Sequence, residues 1–179
     1  MAFFEYVPDD RLAPEARESI DIIKKRRRSD RISSEYYAYA NNPRVLKAYV
    51  EAIEGLLPIP SRLGACQHIA GMLIAHAKGC RACFNGSRKF LSSLGFDEGT
   101  LDNMCRVPAT LPLAERERRV VEFMLRVARD PQGLKSDDFR EMERAGFAKD
   151  EILEMIGVAA FWNLATTLAS AVDAGLREE

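Results

Sequence analysis

The sequence predicts an all-α protein. Apolar residues recur at three- and four-residue spacing through most of the chain. No segment shows sustained period-two alternation of β-branched residues, which would mark a sheet. Glycines and prolines cut the text into pieces of helix length. With 179 residues, 47% of them hydrophobic and 30% charged, the chain suits one soluble globular domain spanning 1–179.

The elements follow in order, about seven to eight helices. Residues 15–28 form a charged amphipathic helix with Ile20, Ile22 and Ile23 on its apolar side. Asn41, Asn42 and Pro43 mark a turn. Val45, Leu46, Tyr49, Val50, Ile53, Leu56 and Leu57 then recur at helical spacing until Pro58 and Pro60 break the pattern. Ser61 is placed to cap a helix carrying Leu63, Ile69, Met72, Leu73 and Ile74 to about Lys78. Gly79 interrupts. A further helix begins near Cys80, carries Phe84, Phe90 and Leu91, and stops at Gly95.

Asp97 caps a short helix with Leu101 and Met104. Residues 106–112 hold two prolines and read as a linker. An amphipathic helix with Leu113, Val120, Val121, Met124, Leu125 and Ala128 on one face follows and ends before Pro131. Ser136 is placed to cap a helix ending at Gly146. The last helix, about Asp150 to Ala174, is apolar almost all round, so it belongs at the buried centre or in a subunit interface. Gly95-Phe96 with Leu101 and Met104 repeats as Gly146-Phe147 with Ile152 and Met155 at identical offsets. This is either a duplicated helix-Gly-Phe-helix unit or two ordinary helix stops.

Charge excludes some functions. Twenty-six basic residues nearly balance 27 acidic ones, so no overall field favours nucleic acid or anionic lipid. The run Lys24-Lys25-Arg26-Arg27-Arg28 has no interleaved aromatics and reads as a solvated helix face. No apolar run is expected to span a bilayer. The first residues lack the charged and apolar regions of a signal peptide. The expectation is a cytoplasmic protein whose four cysteines start as thiols.

Cys80 and Cys83 carry the chemistry. Two thiols three apart can close a disulfide within one helical turn, and a helix beginning at Cys80 offers unpaired N–H groups that stabilise a negative sulfur. One thiol attacks, and the other resolves the product. The only two histidines fall nearby: His68 twelve residues before Cys80, His76 four before it. His68 is either a base for a thiol or a core histidine with one hydrogen bond. His76 reads as a helix-end residue. A structural zinc would need a second close pair, which Cys66 and Cys105 do not make. Those two read as small buried core residues. Phe161 and Trp162 line a pocket or fill the core. No Gly-rich phosphate loop appears, so no cofactor is implied.

Residues 42–95 resemble the carboxymuconolactone decarboxylase-like superfamily, in particular its alkylhydroperoxidase (AhpD-like) branch. So do Leu113-Ala-Glu-Arg-Glu-Arg, Ser136-Asp-Asp-Phe, Ala145-Gly-Phe and Ala159-Ala-Phe-Trp-Asn-Leu-Ala. The resemblance covers about three quarters of the chain; residues 1–40, read as an N-terminal helical extension, carry none of the motifs. It implies an all-helical fold that assembles through apolar helices. Redox members of the family use Glu, eleven residues, Cys-x-x-Cys, three residues, His. Cys80 and Cys83 match both cysteines; the glutamate's place falls on His68 and the histidine's on Ser87.

The resemblance thus implies Cys83 as the attacking thiol, Cys80 as the resolving thiol, and His68 as a substitute base. Ser87 can donate a hydrogen bond to a thiolate but cannot act as a base near neutral pH. The expected function is a thiol-disulfide oxidoreductase or thiol peroxidase, taking a peroxide or disulfide substrate and an external dithiol reductant. Neither nucleic acid nor membrane is an expected partner, and a homo-oligomer is. The alternatives are a non-catalytic redox sensor or interaction protein of the same fold, and a non-redox, decarboxylase-like enzyme.

Overall fold

Helices start and stop where the sequence supplies the chemistry for it. The computed structural model describes residues 2–106 and 112–176. Among the described residues there are nine α-helices: α1 (Pro14–Arg27), α2 (Glu35–Tyr39), α3 (Pro43–Leu56), α4 (Cys66–Ala77), α5 (Arg81–Ser93), α6 (Glu98–Arg106), α7 (Glu115–Arg129), α8 (Ser136–Arg144) and α9 (Lys149–Leu176). Short 3-10 turns lie at Asp9–Arg11 and Pro131–Gly133, and no strand occurs among the described residues. The all-α expectation holds. The 106–112 linker falls almost wholly outside the described residues. The chain forms two compact units, Met1–Gly55 with Thr167–Glu179, and Leu56–Thr166.

In the first unit, α1 begins on Pro14 and ends on four cations, Lys24 to Arg27, which favour the negative helix end. It buries Ala16, Ile20 and Ile23, while Ile22 is half-buried. The sequence reading missed α2, whose five residues are too few to show a period. Tertiary packing holds it: Tyr36 and Tyr39 meet Tyr49 of α3 with ring centroids 6.2 and 5.2 Å away.

The second unit is built round α4, which is buried from Cys66 through Ala75. The sequence places the last helix either at the buried centre or in a subunit interface. In the structure α9 is one-sided: Met155, Val158, Ala159 and Ala165 are fully buried, while Leu153 and Leu164 are exposed. Its 28 residues are also long and apolar enough to cross a membrane, which corrects the expectation that no run reaches that length. Half of its most apolar window is buried inside the protein. α4 packs mainly on α5 and α7, and α9 joins them through Asn163, whose amide donates to the Ala128 carbonyl (2.9 Å).

Two capping expectations are corrected. Ser61 does not start α4: its hydroxyl accepts the Leu63 N–H (3.1 Å), making a local turn that Gly64 closes at φ +54°. The helix starts at Cys66, with Ala65 as its N-cap. Ser136 is the first residue of α8 rather than its cap. Asp138 does that work, accepting the Lys135 N–H at 2.7 Å. Glu117 of α7 and Glu151 of α9 do the same for Ala114 (3.1 Å) and Ala148 (2.8 Å).

Helix ends share one motif. At Gly95 and at Gly146 the chain turns left-handed, with φ +96° and +84°. In each case the next residue, Phe96 or Phe147, donates its N–H back to the carbonyl five residues earlier, Leu91 or Met142. The repeated Gly-Phe signal is therefore the same helix stop used twice. Leu101, Met104, Ile152 and Met155 are all buried behind these stops.

Candidate active site

The same stop ends α4, and it builds the thiol pair. Gly79 turns at φ +69°, a conformation that strains any residue with a Cβ. Gly79 donates to the His76 carbonyl (3.1 Å) and Cys80 donates to the Ala75 carbonyl (2.9 Å). Cys80 thus occupies the position that Phe96 and Phe147 hold elsewhere. It is at once the last residue of the stop and the N-cap of α5. Its own carbonyl accepts the Phe84 N–H at 3.0 Å, which closes the first turn.

Cys83 is then the third residue of α5. In α7, α8 and α9 that position holds a carboxylate, Glu117, Asp138 or Glu151. The first turn of a helix favours an anion, and in α5 the carboxylate's position is taken by the Cys83 sulfur. Cys80 lies outside the helix with φ −81° and ψ 94°, three residues before Cys83, a spacing at which two thiols can form a disulfide. No disulfide joins any of the four cysteines. Cys80 and Cys83 are 4% and 7% exposed, so a reactant must enter a nearly closed site.

His68 projects from α4 into an aromatic nest. Its ring lies 3.9 Å from that of Phe90, tilted by 32°, and meets Trp162 edge-on at 6.0 Å. Phe90 stands two turns beyond Cys83 on α5. The indole N–H of Trp162 donates to the Gln67 carbonyl (2.8 Å). Trp162 lies so close to α4 that a Cβ on Gly71 would come within 2.1 Å of its ring. Glycine is obligatory there. Phe161 and Trp162 are thus core, at 2% and 7% exposed.

Ser87 stands one turn beyond Cys83 and is buried. Its hydroxyl has no hydrogen-bond partner among the described residues. Sequence reasoning missed Gln67, a buried amide that donates to the Pro58 carbonyl (3.3 Å) and whose oxygen is buried without a partner. A glutamine inside so apolar a helix was the available signal. His76 is exposed at the end of α4, with its ring 5.6 Å from Phe84.

The remaining cysteines differ from the pair. Cys66 is buried against the Glu117 carbonyl (3.8 Å), and burial pushes its thiol up to about 12. Cys105 is half-exposed rather than core; partial burial raises its thiol. Among the described residues no group of three or more His, Cys, Asp and Glu is placed to hold a metal. The surface clefts beside Arg116 and Arg144, and beside Arg44 and Lys47, are not lined by cysteine.

No family model and no curated protein matches the sequence. Solved structures do match. One is an uncharacterized peroxidase-related protein from Ralstonia eutropha described as an alkylhydroperoxidase AhpD core. It aligns at TM-score 0.83 and 16% identity over 99% of this chain and 92% of that one. A peroxidase-related protein from a Silicibacter species aligns at TM-score 0.80 and 19% identity over 96% and 90%. A protein of unknown function from Agrobacterium tumefaciens, provisionally assigned as an antioxidant defence protein AhpD, aligns at TM-score 0.66 and 19% identity over 79% and 96%. These likenesses bear out the fold that the motifs implied: the chain has the AhpD-like fold.

Proposed function

We propose that this chain is an AhpD-like thiol peroxidase or thiol-disulfide oxidoreductase working through Cys80 and Cys83. The observation that carries the reading is the place of Cys83, in the first helical turn where three other helices of the chain hold a carboxylate.

The Cys83 thiolate attacks the terminal oxygen of a hydroperoxide. The O–O bond breaks, Cys83 is oxidised to the sulfenic acid, and the alkoxide takes a proton and leaves as the alcohol. The Cys80 thiolate then attacks the Cys83 sulfur, expelling water and closing the disulfide. An external dithiol returns both sulfurs to thiols by two exchanges and is itself oxidised. With a disulfide substrate, the first step is an exchange instead. His68 takes the Cys83 proton from the place of the family's glutamate. The Ser87 hydroxyl, buried without a hydrogen-bond partner among the described residues, is available to turn and donate to the thiolate once it forms.

The test is turnover. Catalytic loss of hydroperoxide with a dithiol present is expected, together with a two-hydrogen mass loss in the peptide spanning Cys80 and Cys83. An oxidant that instead joins Cys66 to Cys105 overturns the reading. His68→Ala is expected to slow alkylation of Cys83 at neutral pH. The difference should shrink above the thiol's own pKa, and His68→Glu should recover part of the rate.

The near-complete burial of both sulfurs favours a second reading, a redox sensor in which the disulfide forms once and alters packing. Stoichiometric oxidation without turnover would select it. A homo-oligomer is part of the proposal, because Leu153 and Leu164 of α9 stand exposed at 67% and 48%. Light scattering at micromolar protein that gives a monomer mass would remove it. A reducing, cytoplasmic setting is part of the proposal, because a Cys-x-x-Cys pair outside an oxidising compartment is more often redox-active than a structural staple.

A further inference from the structure

Acidic residues are missing from the stretch of sequence that carries the thiol pair. Residues 55–96, which include α4 and α5, contain neither Asp nor Glu. An even spread of the chain's 27 acidic residues would put about six in that stretch. The same stretch holds five cations: Arg62, Lys78, Arg81, Arg88 and Lys89.

Two of the five are neutralised from elsewhere. Arg62 pairs with Glu154 and, at 2.7 Å, with Asp150. Arg88 pairs with Glu98 and, at 2.6 Å, with Asp102 of α6. Lys78, Arg81 and Lys89 make no ion pair among the described residues, and all three are exposed. Lys78 precedes Gly79 and Arg81 follows Cys80, so two exposed cations bracket the turn that carries Cys80. His76 stands exposed beside them, against Phe84.

An uncompensated pair of cations beside a nearly closed site raises the local concentration of anions and repels cations. The reactant must also be small, because Cys80 and Cys83 are only 4% and 7% exposed. We propose that Lys78 and Arg81 make the thiol pair selective for a small anionic reactant, a hydroperoxide or disulfide that carries a carboxylate. This rests on the reading of Cys80 and Cys83 as the reactive pair. It adds which molecules reach them.

The test reads the sulfurs rather than turnover. Native protein is alkylated in parallel with iodoacetate, an anion, and iodoacetamide, its neutral analogue, and mass spectrometry follows Cys80 and Cys83. The expected result is an iodoacetate-to-iodoacetamide rate ratio that falls about three- to tenfold in the Lys78→Ala/Arg81→Ala variant. It should fall similarly in native protein on passing from low salt to 0.5 M salt, where screening extends over a few ångströms (roughly 3–5 Å). The salt arm keeps the test decisive should the variant fold poorly.

A ratio unmoved by both changes overturns the proposal. So does a pair that neither reagent reaches, since the charges would then guard nothing. Charge dependence seen only with an acidic protein dithiol, and not with iodoacetate, also overturns it. Absent peroxide turnover with a charge-dependent ratio removes the peroxidase reading and leaves the selectivity standing; turnover with a charge-blind ratio removes only the selectivity.

Discussion

The turn from α4 to α5 and the turn from α8 to α9 use one backbone device for two purposes. Both end a helix on a left-handed glycine, Gly79 or Gly146, and both return the next N–H to the carbonyl five residues back. Both then start a helix whose third residue sits in the positive field of its N-terminus. At α8–α9 the two special positions hold Phe147 and Glu151: a hydrophobe that plugs the core and a carboxylate that accepts the Ala148 N–H. At α4–α5 they hold Cys80 and Cys83. A thiol is a small hydrophobe when protonated and an anion when not. It can therefore stand in both places without breaking the fold, and it brings redox chemistry with it.

The comparison breaks first on activity. Cys83→Ser should lower hydroperoxide turnover roughly a thousandfold or more. Glu151→Gln, the matching change in the twin turn, should leave turnover within about twofold and cost about 0.5–1 kcal/mol of stability. Equal losses of turnover would show that Cys83 is only a structural residue.

Stability should rank the two plugs the other way. Phe147→Ala deletes a buried ring and should cost about 3–5 kcal/mol in denaturant unfolding. Cys80→Ala should cost about 1 kcal/mol, since it removes one sulfur. A Cys80→Ala cost matching that of Phe147→Ala would mean that Cys80 is held for packing.

Titration separates the pair from Cys66, at the far end of α4. Its thiol sits at about 12 in the folded protein, above the ordinary value of 9.0. Between those values the unfolded chain loses the proton first and the native protein keeps it. Stability therefore falls as pH rises from about 9 toward 12, and Cys66→Ala should flatten that fall in melting curves. At pH 8 iodoacetamide should label the pair and leave Cys66 untouched. Faster labelling of Cys66 would reverse the assignment of the reactive thiols.

The smallest effect tests the shared backbone. Gly95→Ala and Gly146→Ala should each cost about 1–2 kcal/mol, because each forces a Cβ into left-handed geometry. Neither added Cβ would meet an atom closer than 3.7 Å, so the two costs should agree. A large difference between them would show that the two stops are not equivalent.

Most of this was legible in the sequence because stops and periods are local signals. Gly79, Gly95 and Gly146 announced their turns, and Cys80 and Cys83 announced a helix start. Ser61 misled because a serine bonds equally well to a turn N–H two residues on. α2 escaped because three tyrosines packing on one another is a tertiary event. His68 showed in the text only as a spacing; that it stacks on Phe90 and meets Trp162 depends on three helices meeting. The bare region round the pair was present in the text all along, but its meaning needed the ion pairs that neutralise Arg62 and Arg88.

Gly71 lets Trp162 lie flat against α4, and Trp162 is the chain's single tryptophan. All indole fluorescence of this protein therefore originates at the wall of the site, with an imidazole 6.0 Å away. Emission from Trp162 thus reports on the packing round His68, and His68→Ala should change its intensity. The protein carries its own optical reporter at the position where the base is proposed to act.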